Sequence, residues 1–555
     1  MCGLLGYISN NEYSFKVENF NNNLSLLERR GPDYKDFFQY NSENYNLYLG
    51  HTRLSIIELS NIANQPFKDA SNVLIFNGEI YNHLKLRNNF YNKDLFKSKS
   101  DTETLFNLLK YNKIEKVLQS LEGMFAFCFF DKVKNKLYLA RDRAGEKPLY
   151  LYINKMFFGF SSDLSVFKKN ITCNLTINSN SIRDFMNLQY IPSPNTIYSE
   201  CFKIPNGSFI EIDLNKYRFE KTNSFEEFIN KEGVFYKKWW KLKFNSNIYT
   251  NDNYIDIRSN TEKLIQNAVK KQLLSDVPLG AFLSSGIDSS LIVSMMQMLS
   301  GNTQTFTIGY QSKSLNESVE AKQISQHLNT NHHEFIFDSK DLINLVEKVP
   351  YAYSEPFADS SQIPTLMISK LASEKVKVIL SGDGGDEIFG GYNRYIIANR
   401  YWKFFKYLPY TLRKQILSLI YLAPKKSLNF LLNKFTSSNN IYKIIDKLKK
   451  IKSEKDYYYS MINEWNNVSD ILNTSNNYQN KNTKIFDAKI PFEKKMMMED
   501  FNTYLPDDIL CKVDRASMYY SLETRAPFLD HNILEYCFSI NNKFIFNKNN
   551  GKYIL

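Results

Sequence analysis

"AFLSSGIDSSLIVSMM" (residues 281–296) places an apolar strand-like segment, a loop of serines, glycine and aspartate, and the start of an amphipathic helix end to end. In that order, backbone N–H groups and the positive end of the helix converge on whatever sits in the loop, which suits a phosphate. The lysine of a GxxxxGK[ST] loop is missing, so no γ-phosphate grip is read. A Ser/Gly turn also serves as a plain helix cap, an alternative this stretch alone leaves open. The texture around it is more telling. From about residue 255, strand, glycine loop and helix alternate: "NYIDIRSNTEKLIQNAVKKQLL" has a helical period, and "TQTFTIGY" (303–310) and "KVKVILSGDGG" (375–385) are short apolar strands ending in polar or glycine-rich turns. This alternation predicts a parallel sheet that binds ligands beyond the carboxyl ends of its strands. Residues 395–555 are mostly helical by period, with no internal repeat.

Upstream the pattern differs. Residues 1–160 are short β-branched and aromatic segments between turn residues, among them "CGLLGYIS", "YNLYLGHTRLSII", "NVLIFNGEIYN" and "GMFAFCFFD", with helical patterns at 17–30 and 101–112. They predict an α+β unit dominated by antiparallel strands. Residues 161–250 form a bridge with further strands, a "PNG" turn (205–207) and two adjacent tryptophans, Trp239 and Trp240.

Bulk properties agree with a folded chain of several units. At 555 residues, a prior of about 150 per domain gives about two to four units. Hydrophobic residues at 43% and charged residues at 23% are globular values. The net charge of +12 accompanies a bias to Lys, Asn, Ile, Tyr and Phe along the whole chain, and much of it falls in "KKSLNFLLNKFTSSNNIYKIIDKLKKIKSEK" (425–455). Lysines at helical spacing there read as a solvated helix face rather than a nucleic-acid surface, with attraction for anionic nucleotides as a weaker use. The six cysteines (Cys2, Cys128, Cys173, Cys201, Cys511 and Cys537) are scattered, which argues against a zinc site or a disulfide scaffold. No charged leader and no run of about 18 apolar residues is seen, so a reducing cytoplasm is expected.

The 284–290 loop resembles the SGGxDSS signature of the ATP pyrophosphatases, read here as Ser285, Gly286, Ile287, Asp288, Ser289 and Ser290, with Ser285 standing where that family has a first glycine. A second stretch, "SGDGGDEIFGGYNRY" (381–395), packs three acids among five glycines, too many glycines for a stable helix or strand interior. Acids beside a phosphate loop call for a metal, since Mg²⁺ takes one or two carboxylates plus phosphate oxygens. With this run the chain resembles the glutamine-dependent asparagine synthetases. The resemblance implies ATP contacts at Leu283, Ser285, Gly286, Asp288, Ser289, Ser290, Ile308, Ser381 and Gly382, and Mg²⁺ at Asp288 and Asp386. Asp383 falls where that family forms the acyl-adenylate, and Lys552 where it neutralises the adenylate transition state. "NESVEAKQISQHLNTNHHEF" (316–335), "EPFADSSQIPT" (355–365) and "LPDDILCKVDRASMYYSLETRAPFLDH" (505–531) match in order; Asp514, Arg515, Glu523 and Arg525 are charged members of the last. Relatives generally run past "NNGKYIL" (549–555), so a naturally short synthetase unit or a fragment is expected.

At the other end "MCGLLGYISN" (1–10) sets a cysteine behind the initiator methionine. Once methionine is trimmed, the α-amine of Cys2 becomes available as the base of its own thiol; the bland alternative is a small buried residue. "RRGPD" (29–33), "GHTRLSI" (50–56), "NQPF" (64–67), "FNGEIYNH" (76–83), "SDTE" (100–103) and "LARDRAGEKPLY" (139–150) then follow in the order of the class II glutamine amidotransferases, which favours the nucleophile. That resemblance implies Cys2 as nucleophile, Asn77 and Gly78 as the oxyanion hole, Arg53 facing the glutamine carboxylate, and Asp101 with Glu79 facing its ammonium.

Together the resemblances imply an N-terminal nucleophile hydrolase αββα sandwich over residues 2–215, α+β in class. A parallel-sheet ATP pyrophosphatase unit with added helices, α/β in class, follows over residues 240–555. The expected activity is that of a glutamine-hydrolysing asparagine synthetase, an ATP-dependent carbon–nitrogen ligase. It converts L-aspartate, L-glutamine and ATP to asparagine, glutamate, AMP and pyrophosphate, through a cysteinyl thioester and a β-aspartyl adenylate with ammonia channelled between sites. ATP and Mg²⁺ are the expected cofactors and the partners small molecules, without nucleic acid or membrane; a homodimer is among the expected assemblies. Another acceptor, such as a sugar acid of surface polysaccharide, keeps every motif. A β-lactam synthetase lacks the nucleophile, and an inactive interaction protein would not keep Cys2, Asn77, Asp101, Asp288 and Asp386 together.

Overall fold

The computed structural model describes the chain except residues 1, 12, 14–15, 91–94, 171–172, 245–252, 312–315, 422–440, 466–467, 473–483 and 548–549. Among the described residues, the N-terminal half holds two six-stranded antiparallel sheets. In the first, Gly3–Asn10 lies between Phe157–Ser161 and Tyr45–Arg53; in the second, Asn72–Ile80 pairs with Gly123–Asp131. The side chains alternate as a strand requires. Leu4, Ile8, Val73 and Ile75 meet in the core between the sheets, whereas Leu5 and Tyr7 pack outward with Phe20 and Leu24 of the helix Val17–Ser25. Leu74 and Phe76 pack outward on the opposite side, against Leu105 and Phe106 of the helix Asp101–Tyr111. The result is the helix, sheet, sheet, helix layering expected of an N-terminal nucleophile hydrolase. The helical pattern at 17–30 forms helix only to Ser25 and continues as turns. Strand Val234–Lys238 pairs with Ser208–Asp213 and so belongs to the second sheet.

The C-terminal half is built on a five-stranded parallel sheet in the spatial order Asn331–Phe337, Gln304–Tyr310, Leu279–Phe282, Val378–Leu380, Glu523–Arg525. The chain runs outward to one side from Leu279–Phe282 and then crosses to Val378–Leu380 on the other, so the order reverses between these two strands. A crevice opens beyond the carboxyl ends of strands at such a point, and the loops after both carry the motifs at 283–290 and 381–386. Glycine density does not exclude helix in the second loop. One short helix, Gly385–Phe389, forms because Gly384 (φ +86°) and Gly390 (φ +71°) fall at its two ends, where left-handed backbone is needed. Most of the basic stretch 425–455 lies outside the described residues; its described part includes the helix Ile441–Lys450, with Lys447, Lys449 and Lys450 in the last turn.

Charged pairs tie the halves together. Arg30 forms a two-pronged bond with Asp514 at 2.9 and 3.1 Å, and both side chains are about 5% exposed. Arg515 pairs with Asp163 at 2.7 Å, and Lys203 with Glu355 at 2.8 Å.

Candidate active sites

Cys2 stands at the entry to the central strand of the first sheet and is buried. Its backbone N–H donates to Asn77 Oδ1 at 2.8 Å, its carbonyl accepts from Arg30 Nε at 3.2 Å, and its thiol faces the Leu54 carbonyl at 4.0 Å. Burial pushes the thiol's ionisation up, with the Arg53 guanidinium pulling the other way. Asn77 is fully buried on the strand Asn72–Ile80, and its Nδ2 has no hydrogen-bond partner. An amide donor left unpaired in the interior costs free energy, so one stationed beside the cysteine is a donor waiting for an acceptor.

Gly78 sits at φ +149°, and a Cβ there would fall 2.1 Å from the Met124 carbonyl oxygen on the paired strand. The combined strain and overlap make Gly78→Ala an expected loss of about 3 kcal/mol, to be read as a lowered Tm in thermal denaturation.

Asp101 opens its helix under a cap from Ser100, and its Oδ2 accepts from the Ile80 N–H at 2.9 Å. Burial pushes its carboxyl up to about 6. Glu79 is buried, its Oε1 lies 3.7 Å from Arg525 of the far half, and burial together with Asp101 holds its carboxyl well above the usual range. Arg53 is turned into the loop that follows its strand, donating to the Ser60 carbonyl (2.9 Å), Asn64 Oδ1 (2.6 Å) and the Glu58 carbonyl. The same loop is fastened to the C-terminal half, where Asp276 Oδ2 accepts from the Glu58 N–H at 2.8 Å.

The second site is a cleft of about 540 Å³ at the strand-order reversal, lined by Leu283, Gly286, Asp288, Ser289, Ile308, Ser381, Gly382, Asp383, Asp386 and Lys552. Gly286 caps the helix Ile287–Ser300, whose amino end faces the cleft. The two loops touch at Gly382, where a Cβ would lie 2.8 Å from the Ser289 nitrogen. Lys552 joins Asp288 and Asp386, the latter at 2.6 Å. Burial raises Asp288 despite this lysine, and its Oδ1 has no partner. Asp383 is held by the Ser381 hydroxyl at 2.7 Å, while burial raises its carboxyl. Ser285 and Ser290 are not in the lining. Ser285 bonds Glu317 at 3.1 Å, and Ser290 turns back onto the Gly286 carbonyl at 2.8 Å.

Several residues of these sites were not singled out in the sequence reading. Arg30, Asp359, Arg394, Asp508 and Lys512 all lie inside quoted motifs, yet spacing alone gives no sign that they face a cleft or the other half.

The model of the asparagine synthase family matches residues 260–555, and that of the glutamine amidotransferase domain residues 1–224. A protein of Methanocaldococcus jannaschii named putative asparagine synthetase [glutamine-hydrolyzing] 2 is 34% identical over 550 residues, covering 93% of this chain and 98% of its own. Asparagine synthetase [glutamine-hydrolyzing] 1 of Bacillus subtilis is 28% identical, covering 100% of this chain and 83% of its own. Among solved structures, a Bacillus subtilis glutamine phosphoribosylpyrophosphate amidotransferase matches with a TM-score of 0.30 at 13% identity, covering 69% of this chain and 75% of its own. With one family model spanning more than half its length, and a relative above 30% identity that it covers almost end to end, this chain belongs to the asparagine synthase family.

Proposed function

We propose that the chain is a glutamine-hydrolysing asparagine synthetase. The observation that carries this reading is Arg30, whose guanidinium bonds both the Cys2 carbonyl and Asp514 of the ATP-type half. Two chemistries that need each other are thereby held in one body. After loss of methionine, the Cys2 amine takes the thiol proton and the sulfur attacks the glutamine amide, releasing ammonia and leaving a thioester that water hydrolyses. Asn77 Nδ2 and the Gly78 N–H stabilise the developing oxyanion. Asp101 and Glu79 face the substrate ammonium, and Arg53, held by the Ser60, Asn64 and Glu58 oxygens, supplies the positive charge for its carboxylate.

In the second cleft the aspartate side-chain carboxylate attacks the α-phosphorus of ATP, pyrophosphate leaves, and ammonia displaces AMP. The helix start at Ile287 and the Gly382 backbone cradle phosphate, and Lys552 balances negative charge as pyrophosphate departs. Asp288 and Asp386 fit Mg²⁺, because Asp288 Oδ1 is unpaired. Two carboxylates make a Mg²⁺ site only with phosphate oxygens to complete the shell. Bound Mg²⁺ would screen phosphate charge. A void of about 20 Å³ between the halves, lined by Tyr150, Lys203, Cys511 and Arg515, is large enough for one small molecule and supports passage of ammonia.

With ATP, Mg²⁺ and glutamine, pyrophosphate release is expected to require aspartate. Glutamate release without aspartate-dependent pyrophosphate would move the acceptor to another carboxylate. For the first site, Asp101 must be ionised to hold an ammonium. Because its carboxyl is raised to about 6, kcat/KM for glutamine is expected to fall as pH drops through that value. Asp101→Asn should lower kcat/KM at neutral pH and remove this acid limb from the pH profile.

A further inference from the structure

Another cleft, about 520 Å³, adjoins the ATP-type cleft and shares Gly382, Asp383, Asp386 and Lys512 with it. Two of its lining residues carry buried polar atoms without a partner, Nη2 of Arg394 and Oδ1 of Asp508. Neither atom is free to swing away. Arg394 Nε donates to Asp500 Oδ2 at 3.0 Å, and its guanidinium lies over the rings of Tyr392 (4.1 Å) and Tyr504 (5.1 Å). Asp500 is itself fixed by the hydroxyls of Tyr458, at 2.6 Å, and Tyr395. Asp508 is 3% exposed and lies in the wide helical turn Leu505–Ile509, an i→i+5 geometry that is rare within helices.

A buried cationic donor and a buried carboxylate oxygen, each unpaired, are both costly. Lining one cleft, they are complementary to a ligand that brings an anion and an N–H cation together. An α-amino acid carries that pair on a single carbon. Among the described lining residues the cations are Arg394 and Lys512; the Lys512 ammonium is taken by Asp359 at 2.7 Å and by Ser361, whereas Arg394 spends Nε on Asp500 and keeps Nη2 for a carboxylate. Burial and the neighbouring Asp359 both push the Asp508 carboxyl well up, a repulsion that an arriving ammonium relieves.

We propose that Arg394 Nη2 receives the α-carboxylate and Asp508 Oδ1 the α-ammonium of the acceptor amino acid, so that its side-chain carboxyl reaches the floor shared by the two clefts at Asp383. This assignment rests on the aspartate reading above and names the residues that select its substrate.

The test uses the full chain with ATP, Mg²⁺ and ammonium chloride, following pyrophosphate. Succinate, which lacks the ammonium, and β-alanine, which lacks the α-carboxylate, serve as competitors of aspartate. Both are expected to compete at least about tenfold more weakly than aspartate binds. Asp508→Asn and Arg394→Lys should each raise the KM for aspartate about tenfold or more while the KM for ATP moves less than about twofold, since one lost charge-assisted bond has that scale. The lysine variant keeps a cation beside Asp500, so folding does not decide the outcome. Succinate competing as well as aspartate, or KM values for aspartate and ATP rising together, would overturn the assignment. If the wild-type chain releases no pyrophosphate with aspartate but does so with galacturonic acid, the aspartate reading itself falls and the assignment with it.

Discussion

Replacing Cys2 with alanine is expected to abolish glutamine-dependent amidation, by about 10³-fold or more, while turnover with ammonium chloride continues. The side chain removed is the proposed nucleophile, and of the six cysteines Cys2 alone follows the initiator methionine and gains an α-amine as its base. The fold should tolerate the change, because the backbone bonds from Cys2 to Asn77 and Arg30 do not involve sulfur. The measurement is paired, with glutamate release from glutamine on one side and ammonium-dependent pyrophosphate on the other. Loss of both activities would contradict a scheme in which the two sites do separate chemistry.

The second large effect is expected at Lys552. Changing it to methionine keeps most of the side-chain volume but leaves Asp288 and Asp386 without the cation that joins them. It also removes the charge proposed to balance departing pyrophosphate. Removing one such stabilising group typically costs about 10² to 10³ in rate. Aspartate-dependent pyrophosphate release should fall by that amount, and glutamine hydrolysis should remain. A KM for ATP that rises with kcat unchanged would instead mark Lys552 as a residue of ground-state binding.

Much of this arrangement is legible in the chain because strand and helix periods are local properties. The apolar run at 73–76 marks a strand without saying which of its side chains face the sandwich core, and the change to strand, glycine loop and helix after residue 255 announces the parallel sheet. Site residues such as Asn77 on its strand, Asp288 in the first turn of its helix and Gly382 in the loop after Val378–Leu380 are readable for the same reason: their motif and their position coincide. Ser290 shows the limit, since it belongs to the motif but bonds its own helix backbone. Glu523–Arg525 was legible as a motif but not as an edge strand of the sheet, because three residues carry no period. Arg394 and Asp508 escaped notice because their surroundings come from far along the chain: Asp500 and Tyr504 reach Arg394, and Asp359 reaches Asp508, from distant segments.

The bond between Arg30 and Asp514 has a consequence for how such a protein can be taken apart. Each half supplies one charge of a pair that water scarcely reaches, and removing one partner of such a pair typically costs about 3–5 kcal/mol. Arg30 also grips the carbonyl of the residue that would attack glutamine. Excising the amide-cleaving portion as a cassette would therefore strip the support from its own nucleophile. Shuffling it onto a foreign ligase would need a replacement acid in the same place, so the pairing acts as a lock against domain exchange.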